Sequence, residues 1–312
     1  MENLTADFEN RFPNSANVIK SVKELEKLDL ENISDTDLAK IIDDRFPLIP
    51  INTAKIPVGT ILFRARVNKN EQSYDKVSQI GVPPSNLIKD FGRANKPFEQ
   101  VFYCASNYKL AAFELLQAYK HHFNAKYQVV FMTIGVWEVT QELHVASIIH
   151  SEVLHELRDD IVLSLKQHKK IFDNGSLKED TVQASELISQ FFSNQFTKMV
   201  IRGTYDYRIS AFYSKRIQEV NDLIYDTYST SKFDGINYPS VSMKYIADNQ
   251  AIFNDSFKNK MKIIDALEIV ASNLDFKNPD FLPGILHNTI AINGDDIEWN
   301  PEIYNPSMAK IK

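Results

Sequence analysis

One acid stands where chemistry could use it. In the stretch GRANKPFEQVFYCASNYKLAAFELL, residues 92–116, a compact turn (Gly92-Arg93-Ala94-Asn95) sets a guanidinium beside a backbone able to bend sharply. An apolar strand carrying Tyr103 follows, and then a helix whose one carboxylate is Glu114. At helical spacing Glu114 shares its face with Leu110, Ala111, Gln117 and Ala118, and its sequence neighbours are Phe113 and Leu115. A carboxylate in such company is expected to be at least half-buried, which costs free energy unless something needs it there. The plain reading is a satisfied structural acid. An Arg, a Tyr and a Glu arriving together within about two helical turns of a tight bend weigh against it.

Other chemistry-bearing residues lie on either side. From Ile61 the pattern has period two, with Ile61, Phe63, Ala65 and Val67 pointing one way and Arg64 and Arg66 the other. That second face reads either as a solvated edge or as an anion-binding face, because guanidinium forks suit phosphate oxygens. Downstream, FDGINYPSVSMKYIADNQAIFN (233–254) offers a turn at Asp234-Gly235, a rigid corner at Pro239-Ser240 and a strand from Asn249 to Phe253. The single cysteine, Cys104, rules out an internal disulfide and a multi-cysteine metal site, and its place in VFYCA makes it a small core residue. Of the seven histidines, His150 and His155 fall on different helical faces and the adjacent His121 and His122 diverge, so no metal is expected. GxGxxG, GxxxxGK[ST] and GxSxG are absent. A bound nucleotide would therefore be held by side chains and irregular turns.

The elements that must position these residues can be outlined. Residues 1–56 form a helical extension in which Ser15 and Ser34 are expected N-caps, ending in an extended connector at 48–57. Asn107 or Ser106 caps the Glu114 helix. Residues 127–137 read as a strand covered on both faces. Residues 150–193 are helical in spacing, with a break at Asp173-Asn174-Gly175, and look like an inserted subdomain. After them 194–202 reads as a strand, 205–228 as a long helix, and everything beyond about 273 as a loop-rich tail.

The 312 residues, 44% apolar and 24% charged, have the ordinary balance of a soluble globular protein. A net charge of −6 argues against direct nucleic-acid binding and against acidic membrane surfaces. The acidic N-terminus has no apolar core of the secretory kind, and the longest apolar run, 129–137, is too short to span a bilayer. A cytoplasmic protein is expected.

The ordered set FRAR (63–66), GRAN (92–95), VFYCAS (101–106) with Glu114 eleven residues beyond Tyr103, and DGINYPS (234–240) followed by NQAIF resembles the RES domain family, bacterial toxins often paired with an Xre-type antitoxin. The resemblance covers roughly 57–260. It implies an α+β, ADP-ribosyltransferase-like split β core flanked by helices, in a catalytic domain over 57–272 with a helical insertion at about 140–230 and a tail at 273–312. It implies cleavage of the nicotinamide–ribose bond of NAD, the ADP-ribose passing to water, to phosphate or to a protein target, and no metal. By the same resemblance Glu114 stabilises the ribosyl centre, Arg64 and Arg93 clamp the pyrophosphate, and Tyr103 stacks on the nicotinamide or closes the pocket. Ser240 bonds the ribose or holds Glu114, and Asn95 supports the turn or the ligand. Here the long extension, the insertion and Ala94, where an aromatic often stands, depart from short members. An antitoxin or other inhibitory partner, occlusion of the cleft by the extension, and a homo-oligomer are expectations about restraint and assembly. A catalytically silent nucleotide-binding module is the contrasting reading.

Overall fold

The computed structural model describes residues 12–69, 72–119, 129–149, 177–198, 201–228, 232–241, 247–272 and 284–302. In chain order its main helices are α1 (Ser15–Leu25), α2 (Asp35–Arg45), α3 (Tyr108–Tyr119), α4 (Glu179–Phe196), α5 (Arg208–Tyr228) and α6 (Asn254–Lys260). Its strands are β1 (Asn52–Ile56), β2 (Ile61–Val67), β3 (Val101–Ala105), β4 (Val129–Val139) and β5 (Leu143–Ser147). They continue with β6 (Gly235–Pro239), β7 (Asp248–Phe253), β8 (Met261–Ser272), β9 (Gly284–Asn293) and β10 (Asp296–Trp299). The architecture is mixed α+β. Two compact units share the chain: one takes Met1–Ala54, Lys89–Glu99 and His144–Pro239, the other Lys55–Ile88, Gln100–Leu143 and Ser240–Lys312.

The first unit is mainly helical. The Asn14 side chain accepts from Asn17 N at 2.8 Å and caps α1, so the cap stands one residue before the expected Ser15, whose own N–H donates to Asp180. Ser34 caps α2 as expected. Val18, Leu25 and Ile42 are fully enclosed, and Phe46 packs on Phe191 and Phe192 of α4 with ring centroids 5.6 and 6.1 Å apart. The N-terminal helices thus belong to a core and are no appendage. The insertion expected at about 140–230 also carries a strand, β5, which pairs in parallel with β6 just beyond it, from Val145↔Gly235 to Ser147↔Asn237. The expected extended connector contains β1. Among the described residues of 194–202, where a strand is expected, α4 runs to Phe196 and residues 197, 198, 201 and 202 are irregular. The helix break at Asp173-Asn174-Gly175 lies outside the described residues, as do His121, His122, His150 and His155.

The second unit is a sheet in the order β7-β3-β2-β4-β8-β9-β10, antiparallel throughout its described pairings. The tail expected to be loop-rich supplies two of these strands, β9 and β10. α3 lies on one face, where Ala112 and Leu116 pack with Met132, Ile134, Phe63, Ala65 and Val67. The opposite face holds an aromatic group, with Phe102 stacked on Phe257 of α6 at 4.2 Å and set edge-on to Trp137 at 5.2 Å.

The sheet is incompletely closed at one place. β2 pairs with β4 along its whole length, Ile61↔Glu138 to Val67↔Met132, and β3 pairs with β7 from Val101↔Phe253 to Ala105↔Asn249. Between β2 and β3, however, the register holds a single pair, Phe63↔Ala105. Beyond it no further β2–β3 pair forms among the described residues, and the ladder is split there.

Candidate active site

Glu114 sits in the second turn of α3, whose first turn is fixed by Asn107: its side chain accepts from Leu110 N at 2.8 Å. Of the two expected caps, Asn107 is the one used. Leu110 and Ala111 are buried against Ala105, Phe63 and Ala65, and this seating of the helix turns Glu114 toward the β7 side of the sheet, half-buried.

Two neutral donors meet its carboxylate there. Ser240 Oγ donates to Glu114 Oε1, and Asn249 Nδ2 donates to the same oxygen at 2.9 Å. Ser240 is fully buried, and its backbone N–H donates to Ala247 O at 2.7 Å, which ties down the corner that carries it. Asn249 is buried in β7 directly opposite Ala105, so it shares that residue's face, the one covered by α3. The contacts span 126 and 135 residues of sequence. Asn249 is the member of this cluster that the sequence does not single out, although it opens the NQAIF stretch.

Tyr103, two residues before Ala105, points by alternation to the same face as α3. Arg64 behaves differently. It lies beside Gly135 on the other face, its guanidinium stands 5.4 Å from the Phe102 ring centroid, and its Nη1 reaches into the split to donate to Tyr103 O at 2.8 Å. It therefore bridges the two halves of the sheet at the point where the ladder stops. Arg66 donates to Gln79 O and stands over Tyr74, so both guanidinium groups on this face serve backbone carbonyls. Cys104 is buried beside Arg64; desolvation pushes its thiol far up against the pull of that positive charge, which leaves it inert.

Arg93 and Asn95 belong to the first unit. The GRAN turn is closed by Gly92 N donating to Asn95 O at 3.0 Å, and the Asn95 side chain donates to Lys96 O at 2.9 Å, so Asn95 supports the turn. Arg93 donates to the carbonyls of Phe196 and Lys198 (3.1 Å for the latter) and lies 4.9 Å from the Tyr207 ring centroid. A guanidinium at the C-terminal end of α4 satisfies carbonyls that the helix leaves open and complements its dipole.

Among the described residues no three His, Cys, Asp or Glu side chains are grouped to hold a metal ion, and no helix is long and apolar enough to cross a membrane. No family model and no curated protein matches the chain. Among solved structures it is similar to one described as the crystal structure of the M. tuberculosis MbcT-MbcA toxin-antitoxin complex, at 9% identity and a TM-score of 0.37, over 69% of this chain and 86% of that one. A likeness at that level fixes neither fold nor activity.

Proposed function

We propose that the chain is an NAD-consuming enzyme of the RES type, with an ADP-ribosyltransferase-like split sheet, that breaks the nicotinamide–ribose bond and passes ADP-ribose to water or phosphate. The observation that supports this most is the Glu114 carboxylate, half-buried and held by two uncharged donors brought from more than a hundred residues away. Nicotinamide leaves this bond as a neutral molecule and takes the bonding electron pair, so no strong acid is needed. The ribosyl carbon becomes cation-like, and a fixed carboxylate stabilises that charge. Glu114 supplies it and also accepts from a ribose hydroxyl. Ser240 holds Glu114, and Tyr103 stacks on the nicotinamide or closes the pocket around it.

Arg64 and Arg93 are the cations that would meet the pyrophosphate. For each, that means exchanging a backbone carbonyl for a phosphate oxygen. Such an enzyme acts in the cytoplasm and needs restraint there, by an Xre-type antitoxin or another inhibitory partner. The test is incubation of the purified full-length protein with NAD, with and without phosphate, and identification of the products by mass. Free nicotinamide with ADP-ribose or its phosphorylated form is expected; NAD left intact under both conditions overturns the reading.

A further inference from the structure

We infer that Asn249 is a positioning residue of this site and that, with Ser240, it divides the Glu114 carboxylate into two oxygens with different tasks: Oε1 is anchored, and Oε2 is the oxygen offered to the ribosyl centre. The inference rests on the function proposed above. Both donors end on Oε1, and among the described residues none donates to Oε2. They arrive on different supports, Ser240 from the corner closed by its bond to Ala247 and Asn249 from a strand paired along β3.

A glutamate on a helix surface has three rotatable bonds, and freezing such a chain costs up to about 2 kcal/mol. A single donor would leave the carboxyl group able to turn about that one bond. Two donors on one oxygen fix both its place and its plane, and the second oxygen then has one direction to face. The chemistry of the donors points the same way. A hydroxyl and an amide anchor the group without adding positive charge, whereas a lysine or arginine would cancel the charge that the developing cation needs. Asn249 touches Glu114 and no reacting atom, so it acts through the acid.

The experiment compares Asn249→Asp, which keeps the side chain's shape but turns the donor into an acceptor, with Asn249→Ala, each in the full-length wild-type and Glu114→Gln backgrounds. In the wild-type background each variant is expected to lower kcat for NAD cleavage about ten- to a hundredfold, with KM within about twofold. In the Glu114→Gln background neither lowers the residual rate further, because the group it positions is already gone. Wild-type kcat in Asn249→Asp, or the same loss repeated on top of Glu114→Gln, overturns the inference. Should Asn249→Ala fail to fold, the isosteric variant decides alone. Should wild-type protein leave NAD intact, the proposed reaction falls, and crystal structures of wild type and Asn249→Asp decide the positioning: a Glu114 carboxylate displaced in the variant supports it, an unmoved one overturns it.

Discussion

At the scale of the residue, Glu114 and Arg64 have separable roles. Glu114→Gln keeps size and hydrogen-bonding shape but removes the charge, so NAD turnover is expected to fall a hundredfold to a thousandfold with the melting temperature nearly unchanged. Arg64→Ala also acts on the frame. It leaves the Tyr103 carbonyl in the split without its guanidinium donor and removes a cation from the Phe102 ring, at a cost of about 1–3 kcal/mol read by urea denaturation. Arg64→Lys recovers little of this, since one ammonium on a flexible stem does not reproduce the fork. The burial of Glu114 and the Asn107 cap were legible in the sequence because both follow from positions a few residues apart on one helix. The anchor at Asn249 was not, because nothing local tells a strand amide which carboxylate it will meet 135 residues away.

At the scale of the element, the interrupted β2–β3 ladder is backed by close packing on β4. Arg64 pairs with Gly135 of β4, and a methyl group on Gly135 would lie 2.5 Å from Trp137 Nε1 and 3.2 Å from Ile80 Cδ1. Trp137 is itself held edge-on to Phe102 and Phe257, so it has little room to retreat. Gly135→Ala is therefore expected to destabilise the second unit by about 1–3 kcal/mol, measured as a lower urea midpoint with an unchanged slope. The alternation of β2 was read correctly from Phe63, Ala65 and Val67, yet it left the arginine face open between solvent and anion. In the structure both guanidinium groups are half-buried and donate to backbone carbonyls.

At the scale of the whole molecule, the chain passes between its two units at residues 54, 88, 99, 143 and 239, so neither unit is a continuous piece of sequence. That changes the expectation for the N-terminal helices. Removing residues 1–50 strips Val18, Leu25, Ile42 and Phe46 from the first unit's core, and the result expected is loss of cooperative unfolding and of soluble protein, in place of a faster enzyme. Circular dichroism during thermal melting checks this.

The same unit has an acid-sensitive clasp. Arg208, buried, donates to the carbonyls of Leu30 (2.8 Å) and Ile33 and to the Asp35 carboxylate, and Lys96 stands 3.3 Å from Asp35. Burial by itself would raise Asp35, but the Arg208 hydrogen bond and the nearby Lys96 and Arg208 charges outweigh it and hold the carboxyl below its ordinary range. A depressed value in the folded state means the contribution is fully present above about pH 4 and is lost as pH falls through the folded value. Stability measured from pH 6 to pH 2.5 should decline less steeply in Asp35→Asn than in wild type.

What the sequence determined by itself is what periodicity and local chemistry control: the helices at 15–45, 108–119 and 208–228, the inward face of β2, the strand at 249–253, and an acid whose neighbours force it to be half-buried. What only the tertiary structure decided is pairing across distance. It chose where the sheet stops closing, which face each arginine serves, and which two of the chain's many polar side chains would hold Glu114. The physical reason is that a strand's period fixes which face a residue occupies but carries no information about its neighbour in the next strand. That neighbour is selected by the packing of the whole unit.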